Sequence, residues 1–171
     1  MAAIRRGAAG LLVALTAACA PAGHLRPPPT PAGAWPPGVA LLPDSGLTPG
    51  AVLPGITAAQ VCRPGWAASV RHVEPDVRHA VYAAYGLPHG NHTGFCAGPG
   101  GCELDHLVSL ELGGSNDAAN LWPQPRASAV VKDRLEDELH RRVCAGRLPL
   151  DQAQAMIARD WVATYRRVFG E

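Results

Sequence analysis

Apolar residues recur every fourth position in one stretch of the chain: Val131, Leu135, Leu139 and Val143. That spacing places them on one face of a helix over about 128–144, and Gly146 stands where a helix stops. A second stripe, Ile157, Trp161 and Tyr165, predicts a helix over about 150–168, with Arg166 and Arg167 at its negative end. Val77, Val81 and Tyr85 define a third over 75–85, opened by Pro75 and Asp76 and stopped by Gly86. Residues 56–62 have room for one helical turn before Pro64-Gly65.

Alternation replaces the helical period from Glu103 to Leu112. Leu104, His106, Val108 and Leu110 fall on one side, and Asp105, Leu107, Ser109 and Glu111 on the other. This predicts a strand with a kink or bulge. Gly113-Gly114-Ser115-Asn116-Asp117 is a turn, and Asn120–Pro123 is a short second strand closed by Pro123 and Pro125. Trp66, Trp122 and Trp161 are expected in the core. The expected fold class is α+β.

The start of the chain has a different pattern. Arg5-Arg6 precede an apolar run from Gly7 to Ala18, the layout of a secretory signal over 1–20. Leu15–Cys19 fits a lipoprotein site with Cys19 lipidated, and Ala18-Cys19-Ala20 also fits ordinary signal cleavage. Residues 21–52 are dense in proline and read as an extended spacer, leaving 53–171 as the folded domain. The expected address is extracytoplasmic, either secreted or held to a membrane only through the N-terminal lipid.

Four cysteines remain beyond Cys19: Cys62, Cys96, Cys102 and Cys144. An even number behind a signal peptide points to disulfides. Three pairings exist. Cys96 and Cys102 bracket a glycine-rich stretch that bends back easily, so we pair them locally and Cys62 with Cys144. A zinc site from Cys96 and Cys102 with His89 or His92 is the alternative, against the usual ligand spacing. Asn91-His92-Thr93 matches a glycosylation sequon by chance.

Charge narrows the function classes. Of 15 basic residues all but Lys132 are arginine, and the formal charge is +1. Without Arg5 and Arg6, 13 basic residues face 14 acidic ones. Such a chain does not coat nucleic acid by charge alone, so any contact with it rests on a local patch or a metal.

Asp105-His106, Gly113-Gly114 and Asn120-Leu121 ahead of a helix resemble the HNH endonucleases and their ββα-metal core. More narrowly, "VCRPGW", "ELDHLVSLELGGSNDAANLWPQP", "KDRLEDELHRRVCAGRLPL" and "AQAMIARDWVATY" resemble small bacterial secreted HNH-like proteins, which also carry cysteines at positions 62 and 144. The resemblance implies a disulfide-stapled ββα core with extra helices that cuts nucleic-acid phosphodiesters, DNA sooner than RNA, as a monomer. It implies a divalent cation, Mg²⁺ first, with Mn²⁺ or Zn²⁺ as alternatives. Asp105 would hold the metal, His106 would activate water, and Asn120 would brace the loop and orient the histidine. The family's second ligand would fall on Ser128 or Ala129, neither of which ligates well. The nearest helical candidates are Asp133, Glu136 and His140, with Glu136 and His140 on one face, and Glu111 could turn inward. The competing expectation is an inactive HNH-like envelope protein used as a binding or structural module.

Overall fold

The computed structural model describes residues 42–87 and 101–170. Three short helices come first: α1 (Ala58–Val61), α2 (Trp66–Val70) and α3 (Pro75–Ala84). Two antiparallel strands follow, β1 (Cys102–His106) and β2 (Leu121–Pro125), in a two-stranded sheet that pairs Asp105 with Trp122 and His106 with Leu121. Two long helices close the chain, α4 (Arg126–Cys144) and α5 (Leu150–Phe169). The fold is α+β, as its pattern of periods predicts.

Local chemistry explains most boundaries. Thr57 caps α1, its backbone N–H donating to Gln60 Oε1 at 3.0 Å. Pro75 opens α3, where its missing N–H costs nothing. Inside α5, Asp160 leaves helical geometry, and its carboxylate accepts from the Ala163 N–H at 2.8 Å, so it caps the second half of the helix.

The core lies between α4, α5 and the β1–β2 corner. Leu135, Leu139, Ile157, Trp161, Tyr165, Leu112 and Trp122 are completely buried in it. A disulfide joins Cys62, just past α1, to Cys144 at the end of α4, with Cα atoms 5.6 Å apart. Cys102 is also disulfide-bonded. Cys19, Cys96, His89, His92 and the sequon lie outside the described residues, as do the leader and the spacer up to residue 41.

Three expectations need correction. The strand predicted over 103–112 stops at His106, and Leu110–Leu112 form a 3-10 turn. The ladder ends because the Asn120 side chain takes the place of a strand partner for Val108, as described below. The second strand runs through Pro123 and Pro125 and includes both. Finally, the packed unit begins ahead of residue 53. Thr48 is buried and donates to Leu121 O at 2.9 Å, while Gly50 N–H reaches Ala119 O and Ser115 N–H reaches Ala51 O.

Candidate functional site

β1 delivers Asp105 and His106 side by side, and α4 starts where β2 ends, so its second and third turns pass beneath them. The residue that fills the gap is Lys132. Its side chain is 1 % exposed. Its ammonium donates to Asp105 Oδ2 at 2.7 Å, to the His106 carbonyl at 2.7 Å, and to Glu136 Oε1 one turn further along α4. An ammonium has three donors and no acceptor, so this cage uses all of them.

Burial works against the Lys132 charge, but Asp105 and Glu136 together outweigh it and raise its pKa, so the ammonium stays protonated. One cation does not neutralise two carboxylates in so dry a place. Burial pushes Glu136 up, Lys132 opposes this, Asp105 adds to it, and the group ends at about 8. Around neutral pH Glu136 therefore tends to keep its proton beside the Lys132 ammonium.

His106 is 6 % exposed. Its Nε2 lies 2.9 Å from Asn116 Oδ1, and Asn116 Nδ2 donates to Val70 O at 2.8 Å. The second bond fixes the amide, so Nε2 carries the hydrogen and Nδ1 the lone pair. Desolvation lowers the His106 pKa below its usual value, partly opposed by Asn116 and Asp105, so the ring is neutral at pH 7. The Asn116–Val70 bond also draws the end of α2 to the site and sets Arg71 beside it.

These groups border a polar cleft of about 270 Å³. Glu103, Asp105, Asp133 and Glu136 line it with His106, Ser109 and Arg71. Arg126 pairs with Glu103 at 2.8 Å. Arg71 and Asp133 form no ion pair among the described residues. Burial raises the Asp133 pKa, and the Asp105 charge adds to the effect. Ser109 Oγ is buried with no hydrogen-bond partner among the described residues.

Asn120 stays out of the cleft. It is completely buried, its Oδ1 accepts the Val108 N–H at 2.9 Å, and its Nδ2 donates to Val108 O and Ser115 O, each at 2.9 Å. The amide imitates a strand partner for Val108 and ties the glycine turn to β1. Its side-chain hydrogen bonds go to Val108 and Ser115, and the His106 ring is held by Asn116 instead.

His140 belongs to a different place. Its Nε2 donates to Val61 O at 3.1 Å, and its Nδ1 lies 3.8 Å from Glu111 Oε2. Its ring, with the sulfurs of Cys62 and Cys144, forms a group whose ligand atoms lie within 4.8 Å of one another, a geometry that suits a metal. In the folded chain those sulfurs are bonded to each other, which removes the thiolates a metal would take. His72 and His79 are exposed, and Trp122 is too deeply buried to stack on a base.

The divalent cation implied by the HNH resemblance does not fit these residues. Asp105, Glu136 and His140 were its expected ligands. Asp105 and Glu136 face each other across Lys132, whose charge and volume hold the place between them, and His140 packs against α1. Ser128, at the family's ligand position, is buried with its hydroxyl on Pro125 O at 2.8 Å. Comparison of the chain with protein-family models, with curated proteins and with solved structures finds no match.

Proposed function

We propose that the chain is an HNH-like ββα domain in which the Lys132 ammonium has taken over the structural work of the metal, and that it serves outside the cytoplasm as a binding module. The observation that carries this reading is the saturated cage: all three Lys132 donors lie on Asp105, Glu136 and the His106 carbonyl. A caged ammonium holds the corner together as a cation would. It offers no open coordination position to a phosphate and lowers no water's pKa, which are the services catalysis asks of a metal. The carboxylates of Glu103, Asp105 and Asp133 in the cleft also repel a phosphodiester, with Arg71 alone to attract it. The Cys62–Cys144 disulfide is consistent with the extracytoplasmic address.

Two assays on the full chain test this. In plasmid nicking with Mg²⁺ or Mn²⁺ we expect no cutting, and in calorimetric titration no saturable divalent-cation binding. Cation-dependent nicking that disappears in His106→Ala would overturn the proposal.

That result would favour the second reading, an endonuclease, which rests on one observation: His106 is neutral, holds its lone pair on Nδ1 and borders an open cleft. In that case the imidazole would take a proton from water at Nδ1, with Asn116 holding the ring.

A further inference from the structure

The cleft over Lys132 carries two opposite charges that the fold leaves unanswered. Arg71 stands at the end of α2 and Asp133 on the exposed side of α4, both lining the cleft, and neither is ion-paired among the described residues. The same cleft is lined by the neutral His106 ring and by Ser109, whose buried hydroxyl lacks a partner among the described residues. A buried hydroxyl without a hydrogen bond is unfavourable, so the place of Ser109 on a cleft wall is a reason to look for a ligand.

Charge selects the ligand class. A phosphate or other pure anion meets the carboxylates of Glu103, Asp105 and Asp133. A pure cation meets Arg71. A molecule carrying both signs a few atoms apart satisfies both, with its carboxylate on the Arg71 guanidinium and its ammonium on Asp133. The volume of about 270 Å³ lies just below the range of about 300–1,000 Å³ found for drug-sized ligands, which suits a small headgroup.

We infer that this cleft binds a zwitterion of amino-acid or dipeptide type, held between Arg71 and Asp133 with Ser109 as a further hydrogen-bonding group. The inference rests on the binding-module reading and names its ligand class. Lys132 contributes indirectly, by keeping Asp105 and Glu136 drawn back into the floor.

The test is a ¹H–¹⁵N NMR titration of the full chain with the dipeptide Gly-Gly, its N-acetylated form and its C-terminal amide. With the free dipeptide we expect saturable shifts in the millimolar range, concentrated on the amides of Arg71, Ser109, Leu110 and Asp133. Blocking either end weakens binding about tenfold or more, the weight of one charge-assisted hydrogen bond. Arg71→Gln and Asp133→Asn, both at exposed positions, should each do the same to the free dipeptide. Equal binding of the blocked forms, or no saturable shift in that range, overturns the inference. Neither result touches the Lys132 cage, whereas cation-dependent nicking removes the binding-module reading whatever the dipeptide does.

Discussion

An ammonium confined with two carboxylates makes the centre of this molecule sensitive to alkali. Glu136 sits at about 8 in the folded chain against an ordinary value of 4.5. Between those values the folded state holds a proton that the unfolded chain has released, so stability falls as pH rises across that window. His106 acts in the other direction. Desolvation lowers its pKa below 6.5, so the unfolded chain binds its proton first, and stability falls as pH drops below 6.5. Above pH 6.5, and below the alkaline range in which Lys132, Tyr82 and Tyr85 titrate, only the Glu136 effect remains. The urea midpoint should decline from there to beyond pH 8, at no more than about 1.4 kcal/mol per pH unit. Glu136→Gln should remove that decline and keep the loss on the acid side; an unchanged alkaline slope in the variant would refute the assignment. Of these residues, Asp105, His106, Asn120 and Glu136 were named from the sequence, Asp105 and Glu136 as ligands of a metal and not as partners of an ammonium, because the acid–histidine pair and the asparagine before a helix form a spaced pattern. Lys132 was not. A helical lysine reads as surface charge, and sequence does not say how far α4 rotates toward β1. The one available signal was its i, i+4 relation to Glu136 in a chain that otherwise uses arginine. Ser109 and Asn116 were hidden for a similar reason, since their roles depend on where a turn folds back.

The helices followed their apolar stripes closely because packing, which decides them, follows the same period. The 75–85, 128–144 and 150–168 expectations became Pro75–Ala84, Arg126–Cys144 and Leu150–Phe169. The strand did not follow, because alternation continues in Leu107–Leu112 after the ladder has ended, and the Asn120 amide that ends it comes from 12 residues away. α2 carries too few residues for any period to show. The turn joining the two strands makes its own prediction. A Cβ on Gly114 would sit 1.8 Å from Val108 O and 2.7 Å from Asn120 Nδ2, inside the hydrogen bonds that hold the corner. Gly114→Ala should therefore cost more than about 4 kcal/mol or abolish cooperative unfolding in urea. Gly55→Ala is the control. Its φ is +69°, but nothing lies within 4 Å of the added carbon, so its cost should stay near 1 kcal/mol. Gly114 has no positive φ of its own, so a loss no larger than the control's would mean that the corner moves aside for the added carbon and the close approach to Val108 does not require glycine.

At the scale of the whole molecule, the disulfide does what a small core does less well alone. Cys62 and Cys144 are 82 residues apart, and closing a loop of that length removes about 4.5 kcal/mol of unfolded-state entropy in the chain-entropy model. Replacing both cysteines by alanine should lower stability by a large part of that, read as a shift of the urea midpoint at constant slope. Cutting this bridge by mutation instead of by reductant leaves the Cys102 disulfide intact. A loss below about 1 kcal/mol would show that α1 docks on α4 without help. No helix among the described residues is long and apolar enough to cross a membrane.

Lys132 is the chain's one lysine, and the cage encloses it. Every basic side chain that the folded surface offers to solvent is therefore a guanidinium or an imidazole. A modifying enzyme that acylates, methylates or conjugates lysine finds no substrate there until α4 comes away from the sheet. Post-translational marking through lysine is thus closed to this domain for as long as it remains folded.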